Sequence, residues 1–420
     1  MRTITLNARE QREVEVLSRL ESGMLDAATA SELLGVGVRQ VRRLRVRYRQ
    51  AGLAAVVHGN RGRAPANRTD PTLVERIVAL AGPGGRYHDL NTCHLQEVLA
   101  EREQIVIGRS TLDRLLKAAG VRRRGQTAAP VHRRRRERRR AEGMLLQMDA
   151  SPYAWLEGRG PQAALVGAID DATGQIIALL FRLSEDQAGY ILLLRHIVQH
   201  HGLPLAIYHD RHTILRSPKR ATLDEQLAGQ APMSQVQRLM AELGIESIPA
   251  YSPQAKGRIE RLWGSLQDRL TKELRLANIT TLEAANAFLP GFMQRYNARF
   301  AQPAADPASA WTPLPADLDL PYYFASRETR TVRADHCLSF AGQVLQLLPG
   351  PQDPSLVGQR ITVHRVPEGD IYLYHGRRQL AYQPWLAPTA VPPPPPEAPP
   401  VTPKVRKSSA RQRAWLFGQH

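Results

Sequence analysis

Three acidic side chains, Asp149, Asp210 and Glu260, could do chemistry together, although each alone is commonplace. Asp149 closes the alternating run Met144-Leu145-Leu146-Gln147-Met148-Asp149, and Asp210 follows the apolar run from Leu205 to His209. Glu260 lies two turns into a helical pattern that starts at Ser252. An Asp after a strand is usually a turn residue, and an isolated Glu on a helix usually pairs with a base one turn away, here Lys256. As a set they share one logic. Cleaving a phosphodiester requires neutralising a non-bridging oxygen, activating a water or hydroxyl and stabilising the departing 3′ oxygen, and two hard divalent ions do all three. Mg²⁺ or Mn²⁺ takes oxygen ligands and keeps several waters, so a few carboxylates from different elements suffice. The three acids are therefore the candidate catalytic residues and the candidate ligands of two such ions. Asp170 and Asp171 are the nearest rivals to Asp149, but they open the turn signal Asp170-Asp171-Ala172-Thr173-Gly174.

These acids need elements to hold them. Ser252 is a suitable N-cap and Pro253 suits a first turn. From there Ile259, Leu262, Trp263, Leu266 and Leu270 form one apolar stripe, with Lys256, Glu260 and Gln267 along its edge. Upstream, strands are expected over 144–149, 161–169 and 174–183, a helix over 186–201 and a strand over 205–209. Three strands, helix, strand, helix is the order of a ribonuclease H-like core, with the acids at a strand end, a second strand end and a crossing helix.

Net charge narrows the partner. Lys plus Arg is 57 against 39 for Asp plus Glu among 420 residues, giving +18 and a pI near 10.5. Such an excess favours a polyanion, because releasing counterions from phosphates drives association whatever the base sequence. Double-stranded DNA is the expected partner. A membrane is not, since no apolar run reaches the roughly 18–20 residues needed to span and no signal-peptide pattern opens the chain. The expected location is the bacterial cytoplasm, alongside the nucleoid. Cys93 and Cys337 are too far apart in sequence for a disulfide framework or a Cys-rich zinc site.

The N-terminal third reads as two helix-turn-helix modules. The first has helices over 7–22, Ala27 to Leu34 and Val38 to Ala51, joined at Gly35-Val36-Gly37. In its last helix Val38, Val41, Leu44 and Tyr48 recur at core spacing, leaving Gln40, Arg43 and Arg47 outward for a DNA groove. The second runs from Pro71 to Gly120, with Ser110 as the expected cap of its third helix and Arg109 and Ser110 as candidate DNA contacts. Then comes His132 followed by Arg133, Arg134, Arg135, Arg136, Glu137, Arg138, Arg139 and Arg140, a linker expected to lie along a phosphate backbone. Lys256 and Arg258 are further candidates for holding a DNA end.

The strings Gln147-Met148-Asp149-Ala150-Ser151, Tyr208-His209-Asp210-Arg211 and Ser252-Pro253-Gln254-Ala255-Lys256-Gly257-Arg258-Ile259-Glu260-Arg261 resemble those of DDE insertion-sequence transposases with an integrase-like catalytic core. With the doubled N-terminal module, the ISNCY-type group is the nearest likeness, and it extends over most of residues 1–385. The resemblance implies that Asp149, Asp210 and Glu260 are the DDE triad. It also implies metal-dependent hydrolysis at transposon ends, strand transfer into target DNA without a covalent protein intermediate, and a homo-oligomer of at least two copies. Two features depart from retroviral integrases: the 50-residue interval from Asp210 to Glu260, whose excess is assigned to Arg216–Ser234, and helix-turn-helix modules in place of a zinc-binding N-terminal domain.

The expected whole is multidomain. All-α helix-turn-helix modules occupy 1–64 and 65–126, and the Arg-rich linker 127–141. A ribonuclease H-like α/β core with a mixed five-stranded sheet spans 142–278, and a helical connector 279–325. A small β-barrel over 326–386 is built from short alternating segments. A disordered Pro-rich basic tail closes the chain at 387–420.

Overall fold

The computed structural model describes residues 4–61, 68–121, 136–215, 217, 232–250, 257–348, 350 and 354–385. The chain divides into two compact units, Met1–Thr127 and Ala128–His420. Ser252, Pro253, Lys256, Arg133, Arg134, Arg135, most of the 216–234 segment and the Pro-rich tail lie outside the described residues.

In the first unit, α1 (Ala8–Glu21) starts at a capping box in which Asn7 and Glu10 bond each other's backbone N–H. Helix α2 (Ala27–Leu34) is capped by Asp26 and stops at Gly35, whose φ of 64° is left-handed. Helix α3 (Val38–Ala51) completes the trio around Val16, Leu17, Leu20, Ala30, Val41 and Leu44. The second trio is α4 (Pro71–Ala81), α5 (Thr92–Glu103) and α6 (Arg109–Ala118). Ser110 is not the cap expected from sequence. Gly108, extended at φ −68° and ψ 140°, takes the N-cap of α6, and Ser110 falls inside the helix.

The second unit is built on a sheet ordered β3-β2-β1-β4-β5. Its strands are β1 (Leu146–Tyr153), β2 (Ala163–Asp170), β3 (Ile176–Arg182), β4 (Ala206–His209) and β5 (Glu246–Pro249). The first three pair antiparallel, whereas β1–β4 and β4–β5 are parallel, so the sheet is mixed as expected. One apolar layer joins Leu146, Met148, Val166 and Ala168 to α7 (Gln187–His200) and α8 (Gln235–Glu242). On the other side Leu165, Ile169, Leu179 and Phe181 pack against α9 (Gly257–Leu276) and α10 (Leu282–Phe300). Helix α10, expected within a connector, is thus part of this second layer.

Strand β1 overruns its expected end at Asp149 by four residues, because its antiparallel partner β2 continues opposite it as far as Tyr153. Asp149 therefore sits mid-strand, on the face turned towards α9, while Leu146 and Met148 face α7.

Beyond the short helix α11 (Leu320–Tyr323), seven short strands among the described residues run from β6 (Ser326–Thr331) to β12 (Tyr382–Pro384). They form a four-stranded and a three-stranded sheet sharing one core of Leu338, Leu345, Ile361, Val363 and Leu373. Arg327 in β6 reaches Glu242 of α8 with both terminal nitrogens, at 2.7 and 2.8 Å, and Arg238 donates to the Ala325 carbonyl at 2.7 Å.

His364, 1 % exposed, is packed against Tyr322 and Tyr374 in this junction. Burial first, and then Arg327, pushes its pKa down to about 4, with Arg238 adding to the effect and Asp319 opposing it. An unfolded chain takes up this proton near pH 6.5, so stability present at pH 7 is lost as pH falls from about 6.5 to about 4, by about 3 kcal/mol. In urea titrations at pH 7.5 and 5.0, His364→Phe is expected to shrink the acid-induced loss; an equal loss in both proteins would assign it elsewhere. Among the described residues, no helix is long and apolar enough to cross a membrane.

Candidate active site

Asp149 stands on β1, and Asp210 follows the end of its parallel neighbour β4. The β1–β4 ladder pairs Leu146 with Ile207 and Gln147 with Tyr208, and Asp149 and Asp210 each follow that last pair by two residues. Asp149 is 9 % exposed, and its Oδ2 accepts from the Trp263 indole N–H at 3.1 Å. Asp210 leaves the end of β4 half-buried, and its Oδ1 accepts from the His212 backbone N–H at 2.9 Å. His209 holds that strand end. Its Nδ1 donates to the Asp210 carbonyl at 2.6 Å, and its Nε2 lies 2.8 Å from the Ser247 hydroxyl on β5.

Glu260 is exposed in the first described turn of α9, one turn before Trp263. The stripe expected from sequence is the buried one: Ile259, Leu262, Trp263, Leu266 and Leu270 are all in the core. Among the described residues, no three His, Cys, Asp or Glu side chains are already gathered into a metal cage. What is assembled is Asp149 on β1, Asp210 just past the end of the neighbouring β4, and a helix bonded to β1 that carries the glutamate. These are hard oxygen donors of the kind Mg²⁺ and Mn²⁺ take.

Helix α9 is tied to β1 by three polar bonds in series. Gln147 Oε1 accepts from the Ile259 backbone N–H at 3.2 Å, Asp149 from Trp263, and Ser151 Oγ from Gln267 Nε2 at 3.2 Å. The strand residues are alternate ones, which share a face, and the helix residues are four apart, which also share a face. Sequence reasoning misses both Gln147 and Trp263 at the site, because it marks one as a strand position and the other as core.

A second group that sequence reasoning misses adjoins the aspartates. Tyr190 donates to Glu185 Oε1 at 2.7 Å, and His212 Nδ1 lies 4.0 Å from the same oxygen. Burial pushes the Tyr190 phenol's pKa far up, and the Glu185, Asp149 and Asp210 carboxylates add to that shift. Glu185 thus belongs to the same acidic neighbourhood.

The rival acids have structural partners. Asp170 Oδ1 accepts from Thr173 N and Oγ1, both at 2.8 Å, and its Oδ2 from Gly143 N at 3.0 Å. Asp171, fully buried, accepts from Arg258 Nη1 at 2.7 Å, Gln147 Nε2 at 2.8 Å and Arg139 N at 2.9 Å, and it also binds Arg136. Bases expected on DNA are therefore engaged within the chain. Arg258 is held by Asp171 and the Arg136 carbonyl, and Arg138 donates to the Asp171 and Ala172 carbonyls. The pull of Asp171 does not offset burial, which comes first in lowering the Arg258 pKa.

In the first unit, Arg45 and Arg49 bind Glu21 across the helices, and Gln40, Arg43 and Arg47 stand exposed along α3. Arg109 and Ser110 are exposed in the first turn of α6. Arg139 and Arg140 are exposed before β1.

Relatives of the chain are recognisable over most of its length. Residues 14–72 match the winged helix-turn helix family. The putative transposase y4bF of Sinorhizobium fredii is 36 % identical over 384 residues, which is 91 % of this chain and 82 % of that protein. The transposase for insertion sequence IS1202 of Streptococcus pneumoniae is 29 % identical over 416 residues, 89 % of this chain and 87 % of that one. Among solved structures, the catalytic core domain of BIV integrase covers 34 % of this chain and 79 % of its own, at 20 % identity and a TM-score of 0.26. The simian T-cell lymphotropic virus intasome, in complex with PP2A regulatory subunit B56 gamma, covers 70 % and 92 %, at 15 % identity and a TM-score of 0.31. On the extent and identity of the first of these matches, the chain belongs to the transposases.

Proposed function

We propose that this transposase cuts and joins DNA at a DDE site made of Asp149, Asp210 and Glu260. The observation that carries the reading is the β1–β4 ladder, whose last pair, Gln147 and Tyr208, stands two residues before Asp149 and Asp210, together with the bond from Trp263 of α9 to Asp149. When bound, a pair of Mg²⁺ or Mn²⁺ ions supplies positive charge at the scissile phosphate, an activated hydroxyl and relief of charge on the departing 3′ oxygen. The chain's part is to hold oxygen donors in place: Asp149 fixed on β1 by Trp263, Asp210 on β4 by the His212 N–H, and Glu260 on the rim of α9. In the first reaction, water adds to phosphorus and the 3′ oxygen leaves with a proton. In the second, that 3′ hydroxyl attacks a target phosphodiester, so one P–O bond forms as another breaks.

The outward residues of α3, Gln40, Arg43 and Arg47, read the element's terminal inverted repeats, with Arg109 and Ser110 contributing from the second trio. Arg139, Arg140 and Lys256 contact the backbone near the cut. Two or more copies pair two ends in a synaptic complex. Arg258 is assigned a bracing role on Asp171 in place of the DNA contact expected from sequence.

Full-length protein incubated with DNA carrying the element's ends, with Mg²⁺, with Mn²⁺ or with a chelator, tests the reading. Nicking at the termini and joined products are expected with either metal and none with the chelator. Sequence-specific binding without nicking in any metal would make the protein a DNA-binding regulator instead.

A further inference from the structure

Asp171 lies at the convergence of three segments that the reaction needs in register. Its Oδ1 accepts from Gln147 of β1 at 2.8 Å, from Arg258 of α9 at 2.7 Å and from Arg136, and its Oδ2 accepts from the Arg139 N–H at 2.9 Å. Gln147 is engaged at both ends of its amide, which donates to Asp171 while its carbonyl accepts from Ile259 N. That N–H lies in the first described turn of α9, and it is bonded by a side chain from the strand that carries Asp149. Arg258 and Ile259, the two residues gripped in this way, immediately precede Glu260.

We propose that Asp171, acting through Gln147 and Arg258, is a positioning residue that sets the first described turn of α9, and with it Glu260, relative to Asp149. The proposal rests on the DDE reading for its consequence, but its geometry does not need it. A carboxylate with 0 % exposure is favoured only with charged or hydrogen-bonding partners, and these partners come from two catalytic elements plus the Arg-rich segment. Asn at this position keeps an acceptor and loses the charge that orients two guanidinium groups. Met in place of Gln147 keeps the length and loses both the acceptor for Ile259 and the donor to Asp171.

The experiment is amide hydrogen exchange on the full-length protein, resolved at Ile259, for the parent, Gln147→Met and Asp171→Asn. Exchange at Ile259 is expected to rise about tenfold or more in both variants, with residues 266–276 unchanged. The second measurement is end cleavage as a function of Mg²⁺. The half-saturating concentration is expected to rise at least about fivefold, while end-DNA binding stays within about twofold of the parent. Unchanged exchange at Ile259, or faster exchange across the whole sheet alike, would overturn the positioning role, as would an unchanged metal requirement in an active protein. A parent that cleaves nothing overturns the DDE reading instead, and the exchange measurement still decides the positioning role.

Discussion

Asp149→Asn, Asp210→Asn and Glu260→Gln are each expected to lower end cleavage by at least about a thousandfold, or roughly 4 kcal/mol of transition-state stabilisation. Each exchange removes one negative charge and almost no volume, so the loss falls on charge neutralisation at the phosphate. Asp210 is half-buried and Glu260 exposed, so neither exchange opens a core. In Asp149→Asn the new side-chain amide carbonyl can still accept from Trp263, which keeps that variant folded. Binding to the element's ends, a property assigned to Met1–Thr127, should persist in all three variants and is read by electrophoretic shift. A variant that binds ends and cleaves within about tenfold of the parent removes its residue from the triad.

Trp263→Ala should destabilise the core by about 3–5 kcal/mol, because a large ring leaves a void the surroundings only partly refill. The indole is 7 % exposed and packs over Gly167, the residue opposite Asp149 in the β1–β2 ladder. A Cβ on Gly167 would lie 2.9 Å from Trp263 Cη2 and 2.7 Å from Leu179 Cδ2, so glycine is what lets the ring lie there. Trp263→Phe separates packing from bonding. It keeps most of the ring and deletes the donor to Asp149, at a cost of about 1–3 kcal/mol. Urea unfolding of the full-length protein, followed alongside cleavage, tests both substitutions. Equal stability for Trp263→Phe and the parent would mean that the indole N–H contributes nothing.

Much of the scaffold was legible because it is written in local chemistry. Gly35, Asp26 and the Val41/Leu44 spacing delimit the first trio, and strands β2 and β3 flank the turn that Asp170 to Gly174 announce. The fifth strand, Glu246–Pro249, carries no alternating signal because both neighbours of Ile248 are polar or Pro, and it is recognised only by pairing with β4. The candidate site was legible as a list of acids, but the bonds around those acids were not. Asp171 looks like a turn residue because the turn is local, whereas Arg136 and Arg258, which neutralise it, lie 35 and 87 residues away. The arginine run suggested DNA throughout, yet the end nearest β1 folds onto the chain's own carboxylate. Ser110 illustrates a smaller miss: a glycine in extended conformation begins the helix two residues before the hydroxyl that sequence marks as its cap.

The three bonds between β1 and α9 behave as a vernier. A strand advances about 6.7 Å every two residues and a helix about 6.0 Å every four, so the scales slip by about 0.7 Å per step. Over the steps from Gln147 to Ser151 the slip stays within what side chains absorb. At the next step Tyr153 turns to Trp155, 5.4 Å between ring centres, and Thr271 bonds back to the Gln267 carbonyl at 2.8 Å. The two scales coincide over this span, and Glu260 stands inside it. The length of chain from Ile259 to Gln267 is thereby fixed by the strand below, so insertions between Asp210 and Glu260 can be accommodated upstream of Gly257 and nowhere along that span.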